Sequence, residues 1–330
     1  MTAPLDVSVA VERFPIAGTF TISRGSRTEA VVVTVTISDG RVAGRGECVP
    51  YARYGETVEG VVEAIERMAP DVATGRVDLA NLAGAMPAGA ARNALDCALW
   101  DWRAKASGIP AAETAGVAPL KPLVTAYTLS LGTPDSMAEA AAAAAHRPLL
   151  KVKLGGEGDA ARIRAVRAAA PASTLVVDAN EAWSPEIFAG NMAACVEAGV
   201  ALIEQPLPAG ADAALAGMPR PIPICADESL HGPADLASLR DRYDAVNIKL
   251  DKAGGLTTAL EIAAGARALG FQVMLGCMVG TSLAMAPAVL VAQWADFVDL
   301  DGPLLLARDR NPGLVYEGST LLPPTPDLWG

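Results

Sequence analysis

The sequence predicts an α/β protein, a modified TIM barrel of (β/α)7β type preceded by a separate N-terminal α+β domain. Three observations carry that expectation. After about residue 119, eight short apolar runs (LVTAYTL, LLKVKL, TLVVDA, ALIEQP, PIPICADE, AVNIKL, QVMLG and FVDLD) alternate with Ala-rich helical stretches, the pattern of a closed parallel sheet. Before it, β-branched runs come first and helices second, which belongs to an α+β unit. Within the eight later runs, the ionisable residues fall at the carboxyl ends.

Taken in order, DVSVAVERF, TFTIS and EAVVVTVTIS read as strands of an antiparallel meander, with Asp39-Gly40 as a turn. Two helices follow. The clearer begins near Pro87, places Ala91, Leu95, Ala98, Leu99 and Trp102 on one face, and stops at Gly108 and Pro110. The expected division is residues 1–118 for the first domain, 119–305 for the barrel and 306–330 for a surface tail that returns to the first domain. The barrel span is short for eight full units, so one helix is expected to be missing.

The chain has 330 residues, 52% of them hydrophobic, and a formal net charge of −11 from 26 Lys+Arg and 37 Asp+Glu. This is the composition of a folded protein and not of a disordered one. The acidic balance and singly scattered basic residues exclude a nucleic-acid or membrane-surface partner. Ala268 to Ala295 is free of charge and long enough to span a bilayer, yet Gly270, Gly276, Gly280 and Pro287 break it into a buried strand and its crossover helix. Five scattered cysteines without a CxxC pair, and an N-terminus without a basic, apolar leader, point to a reducing, cytoplasmic setting without zinc. No signature of an interface between copies of the chain is visible, and a homo-oligomer stays open.

The strand ends carry the chemistry. Asp178, Glu204 and Asp227 close the third, fourth and fifth runs, 26 and 23 residues apart, close to one βα unit each. Any one of them could cap a helix. Three from successive strands would repel unless a cation sat among them, and an all-oxygen set suits Mg²⁺. Lys151 and Lys153 share one side of the second strand by alternation, and Lys249 closes the sixth, on the opposite side of an eight-stranded barrel. Two amines across a metal suit 1,1-proton transfer beside a carboxylate, the chemistry of racemisation or epimerisation. Crowding by Lys151 and the metal is expected to lower the pKa of Lys153. A structural ion-pair network is the alternative for the same lysines. Lys252, beyond the strand end, rivals Lys249 and is expected to be exposed.

KVKLGG (from Lys151), VDANEAW (from Val177), IEQPLP (from Ile203), ICADES (from Ile224) and VNIKLDKAGGL (from Val246) together resemble the muconate-lactonizing subgroup of the enolase superfamily. RGSRTEA (from Arg24) and PAGAARNALDCALWD (from Pro87) look like the capping domain of its dipeptide epimerases, above all those acting on L-Ala-D/L-Glu. The resemblance implies that Asp178, Glu204 and Asp227 bind Mg²⁺, and that Lys153 and Lys249 exchange the proton through a metal-stabilised enediolate. It gives Lys151, Asn180 and Glu228 supporting roles, and assigns Asp299 and Asp301 of DLDG to the substrate ammonium. Arg24, with Arg27 close behind, would meet the substrate carboxylate.

What the resemblance implies is thus a dipeptide substrate and a role in murein peptide recycling. o-Succinylbenzoate synthesis and N-acylamino acid racemisation by the same lysines are the enzymatic alternatives, and a non-catalytic, metal-dependent peptide-binding protein is the alternative of another class. His146 and His231 are too separate to form a site, and GGEGD after Lys153 reads as a flexible loop rather than an anion cradle.

Overall fold

The computed structural model describes residues 4–330. Its first part is a three-stranded antiparallel sheet, Asp6–Ile22, Gly25–Ser38 and Ala43–Cys48, in that order. DVSVAVERF and TFTIS form one strand of 17 residues instead of two. The segment between them, which holds Gly18 at φ 88, only shifts the register between Pro15 and Phe20, as a bulge does, and the chain runs on. The third strand, AGRGEC, contains no apolar run, because Gly44 and Gly46 supply its inner face. A Cβ there would come within 2.1 Å of Trp102 N and of Ala94 O respectively, so the strand lies directly on helix backbone.

That helix, Ala90–Ser107, ends as expected at Gly108 in the left-handed region, φ 70. The other long cap helix, Val58–Ala73, starts at Thr57, whose hydroxyl accepts from Gly60 N, and it buries Val61, Ile65 and Val72. Trp100 docks this domain on the barrel by donating its indole N–H to Thr257 Oγ1 at 2.9 Å.

The barrel strands are Tyr127–Leu129, Leu149–Lys153, Thr174–Asp178, Val200–Glu204, Ile224–Ala226, Ala245–Ile248, Gln272–Leu275 and Phe297–Val298, adjacent in chain order and parallel at each pairing. Ala126 N–H donates to the Val298 carbonyl at 2.8 Å, which ties the last strand to the first. LVTAYTL is split. Only Tyr127–Leu129 enters the barrel, while Leu123–Val124 pairs with Thr320–Leu321 in a small outer sheet. Two crossovers are reduced, one to the 3-10 turn Ala213–Gly217 and one to the short turns Pro233–Asp235 and Leu236–Leu239, and only a 3-10 turn, Gly302–Leu305, follows the last strand.

Strand alternation sorts the barrel interior into layers. Leu149, Val176, Leu202, Cys225, Ala245 and Met274 form an apolar floor, and one or two inward positions further along the same strands come the charged residues. The uncharged stretch becomes the strand Gln272–Leu275 and the wholly buried helix Ser282–Ala292. Among the described residues no helix is long and apolar enough to cross a membrane. The end of the C-terminal segment is not a surface tail. Leu328 and Trp329 are buried, and the Trp329 indole donates to the Cys97 carbonyl at 3.0 Å. Apolar side chains at its end outweigh the Pro-rich composition before them.

Candidate active site

Parallel pairing places Lys153 beside Asp178 and Asp178 beside Glu204 in one row, with Glu204 beside Cys225 on the next strand. Asp227 follows that strand directly. Lys249 directly follows the sixth strand, which lies four places round the sheet from the strand of Lys153. All of these are at least nine-tenths buried, so each needs a partner.

Lys151 Nζ lies 2.7 Å from Glu204 Oε2, 2.7 Å from Asp299 Oδ2 and 3.2 Å from Asp178 Oδ2. Lys153 Nζ lies 2.6 Å from Asp178 Oδ2, and Lys249 Nζ 2.6 Å from Asp227 Oδ2. The carboxylates are thus spaced by ammonium groups, and among the described residues no three of them close into a ready-made metal cage. Burial works against the charge on Lys151, but Asp299, Glu204 and Asp178 outweigh it and hold its ammonium well above the ordinary lysine range. Burial is likewise outweighed at Lys249 by Asp227 and Glu204. At Asp178 and Asp227 burial raises the carboxyl, and the neighbouring lysines reverse this and hold both below the usual carboxylate range.

Glu204 behaves differently. Burial, then the charge of Asp178, push its carboxyl up to about 7. Among the described residues, four buried oxygens of this region have neither a hydrogen-bond partner nor an ion pair: Asn180 Oδ1, Glu228 Oε2, Asn247 Oδ1 and Asp299 Oδ1. Orphaned oxygen acceptors around the Asp178, Glu204 and Asp227 carboxylates suit a hard divalent cation.

Lys153 and Lys249 both face a pocket of about 400 Å³ that also exposes Asn180, Asp227 and Glu228, under a roof of cap residues that includes Arg24, Tyr51 and Tyr54. A smaller recess next to it, sharing Lys153 and Phe20, is lined by Lys151, Asp299 and Asp301. Asp299 and Asp301 follow the last strand rather than extend it. Asp299 is bound to Lys151, and Asp301 Oδ2 accepts from Thr128 N at 2.6 Å. Burial and the charge of Asp299 raise the Asp301 carboxyl to about 7. Gly276 matters here, since a Cβ would meet Asn247 Oδ1 at 2.6 Å.

Arg24 sits at the turn of the long cap hairpin and reaches into the pocket. Its guanidinium donates to Glu228 Oε1 at 2.8 Å, to the Asn180 carbonyl at 3.0 Å, to Tyr51 Oη at 3.1 Å and to Glu181 Oε2 at 3.2 Å. Arg27 lies over the Tyr51 ring, 5.3 Å from its centroid. Glu228 is itself pushed up to about 7 by burial and by Asp227.

Two readings of single residues are corrected. Lys252 is 4% exposed, not solvated. The one-turn helix Leu250–Ala253 folds it back, so that Nζ lies 2.6 Å from Asp227 Oδ1 and 3.1 Å from the Asn247 carbonyl. It faces the far side of Asp227 from Lys249 and is absent from the pocket lining. The GGEGD loop is not free either, because Asp159 accepts from Gly155 N at 3.0 Å, Gly156 N at 2.7 Å and the Trp183 indole at 2.8 Å.

Several groups at the site went unremarked in the sequence. Asn247 donates to Glu204 Oε1 at 2.7 Å, and Gln205 Oε1 accepts from Asp227 N at 2.8 Å. Asn247 has the same inward parity as Lys249 and was open to detection by it. Gln205, Asn180 and Glu181 hold positive φ of 35, 46 and 68, a strain that clusters at functional sites and that residue type does not announce.

The sequence matches two family models, the mandelate racemase / muconate lactonizing enzyme N-terminal domain over residues 5–116 and the enolase C-terminal domain-like model over residues 135–319. It is 46% identical over 314 residues to an L-Ala-D/L-Glu epimerase of Escherichia coli (strain K12), covering 94% of this chain and 97% of that one. It is 47% identical over 300 residues to an N-acetyl-D-glutamate racemase of a Pseudoalteromonas species, covering 91% and 95%. A crystal structure of an enolase family member from Agrobacterium tumefaciens with homology to dipeptide epimerases, holding sodium and L-Ala-L-Glu, superposes with a TM-score of 0.98 at 59% identity, covering 99% of this chain and 100% of that one. With both halves of the chain matched and the barrel-mouth residues on the strand ends where such a barrel builds its site, the chain belongs to the mandelate racemase/muconate lactonizing enzyme family of enolase-like proteins.

Proposed function

We propose that this protein is a Mg²⁺-dependent dipeptide epimerase acting on L-Ala-D/L-Glu or a related dipeptide. The observation that carries the reading is the pair of buried lysines, Lys153 and Lys249, on opposed strands of one pocket with the Asp178–Glu204–Asp227 set between them. The α-hydrogen of a carboxylate-bearing carbon is scarcely acidic, because its loss leaves a doubly charged enediolate. Mg²⁺ held by Asp178, Glu204 and Asp227 supplies, when bound, fixed positive charge beside the oxygens on which that charge collects.

The chain's own residues do the rest. One lysine, in its neutral form, takes the α-proton at Nζ, and the opposite one, as ammonium, returns a proton to the other face, so that configuration inverts. Lys151 stays an ammonium and adds positive charge under the developing anion. Asn180 and Glu228 hold their neighbours in register. Asp299 and Asp301 offer an anionic recess for the substrate ammonium, and Arg24, with Arg27 beside it, offers guanidinium to the distal carboxylate. The dipeptide L-Ala-Glu is a murein fragment, which supports a role in recycling murein peptides in the cytoplasm.

N-acylamino acid racemisation is the second reading, favoured by the likeness to the Pseudoalteromonas racemase. An acylated substrate lacks the ammonium that the Asp299–Asp301 recess suits, which ranks it below the dipeptide. The test is α-proton exchange in D₂O followed by NMR, with Mg²⁺, a panel of L-Ala-X dipeptides and N-acyl amino acids. Exchange with inversion in L-Ala-Glu alone supports the first reading, exchange in acylated substrates alone moves the protein to the second, and none in either class rejects both.

A further inference from the structure

Glu181 stands just past the third barrel strand, and both of its carboxylate oxygens are fully engaged. Oε1 accepts from Arg53 Nη2 at 2.7 Å and from Ala209 N at 2.8 Å, while Oε2 accepts from Arg53 Nε at 2.8 Å and Arg24 Nη1 at 3.2 Å. Arg53 belongs to the 3-10 turn Ala52–Tyr54 and Arg24 to the turn of the hairpin Asp6–Ile22/Gly25–Ser38. Two cap loops that are separate in the chain thus end on one barrel carboxylate. The backbone serves the same contact. With Asn180 and Glu181 both at positive φ, the Asn180 carbonyl turns outward and accepts from Ser23 Oγ at 3.0 Å and Arg24 Nη1 at 3.0 Å.

Surface ion pairs usually contribute little, and the exception is the bidentate Arg–carboxylate fork in a network. Glu181–Arg53 has that geometry, and the Glu181 side chain is only 9% exposed although that of Arg53 is 35% exposed. Tyr51 and Tyr54, which flank Arg53, are part of the pocket roof, as is Arg24. Whatever holds Arg53 and Arg24 therefore holds the roof. Of the four donors to the carboxylate, three belong to the two cap loops and one, Ala209 N, to the barrel.

We infer that Glu181 is the catch by which the barrel keeps both cap loops closed over bound substrate, with Arg53 as its principal partner. Both are positioning residues, since neither reaches the reacting carbon. Glu181→Gln keeps shape but loses the charge-assisted fork, and Arg53→Met removes the other half. In the free protein, amide hydrogen exchange followed by mass spectrometry is expected to quicken about tenfold in residues 20–27 and 51–55 for either variant, with the barrel strands unchanged. With L-Ala-L-Glu and Mg²⁺, each variant is expected to raise KM about tenfold with kcat within about twofold, and the double variant to be no worse than the weaker single one.

Additive increases in KM, unchanged exchange in both segments, or faster exchange spread evenly along the chain each overturn the inference. The turnover arm rests on the dipeptide reading above, whereas the exchange arm needs no substrate. A wild-type protein inert toward dipeptides would therefore count against that reading and leave the catch to be decided by exchange.

Discussion

The barrel mouth and the cap loops above it are built on different terms. At the mouth, Lys151, Lys153, Asp178, Glu204, Asp227 and Lys249 are set by strand parity, are almost wholly buried, and pair across neighbouring strands. In the cap loops, Arg24, Arg27, Tyr51 and Arg53 are partly exposed, and Arg24 and Arg53 reach the barrel only through their guanidinium ends. A charged group in the mouth cannot move without leaving others unpaired, whereas a loop arginine can exchange a protein carboxylate for a substrate one. On the proposed function, the reaction type belongs with the paired layer and substrate choice with the loops.

The largest effects should come from the paired layer. Lys153→Ala and Lys249→Ala are each expected to lower epimerisation by about 10³-fold or more, the range of a lost acid or base, with Mg²⁺ and ligand binding retained by calorimetry. Full turnover in either variant refutes a two-lysine mechanism. Next comes the recess at the join of the two layers. Asp301→Asn should raise KM for L-Ala-L-Glu by about tenfold or more while leaving that for N-acetyl-L-Glu nearly unchanged, because only the former carries an ammonium. Equal effects on both would remove Asp301 from ammonium binding.

A smaller change is expected in the loops. Arg24→Gln should raise KM for L-Ala-L-Glu about tenfold and for L-Ala-L-Gln much less, and the same measurement on Arg27→Gln decides which arginine meets the distal carboxylate.

The smallest effect concerns how cap and barrel are joined. Asp96 on the cap helix accepts from Thr257 N at 3.0 Å and Thr257 Oγ1 at 2.6 Å, and burial raises its carboxyl from 3.8 to about 6 against the pull of those bonds. The folded protein thus binds this proton more tightly than the unfolded chain does. Its contribution to stability is fully present below about pH 3.8 and is lost as pH rises through about 6. Melting temperatures of Asp96→Asn and wild type, compared between pH 4 and 7, should show a shallower decline in the variant. Parallel curves would mean that Asp96 does not titrate there.

How far each part could be read from the chain follows the same division. The eight strands were visible as apolar runs, and the charged mouth was visible because alternation carries an inward residue to an inward residue two places on, as from Leu149 to Lys151 to Lys153. The third cap strand was not, since two glycines replace its apolar face where helix backbone presses on it. Lys252 was misplaced because distance past a strand end was equated with exposure. A helical turn, held from the cap by Arg92 through the Gly254 carbonyl at 2.9 Å, brings it back to Asp227. Glu181 gave no signal at all, since its partners lie 128 and 157 residues away.

By itself, then, the sequence determined the barrel, its polar end and the six charged residues of its mouth, because strand period and βα spacing are local properties that survive without the fold. Only the tertiary structure decided which ammonium meets which carboxylate, where Lys252 points, and that two distant cap loops converge on Glu181. Those outcomes depend on which segments are packed together and on how burial trades against charge, and neither quantity exists until the chain has closed on itself.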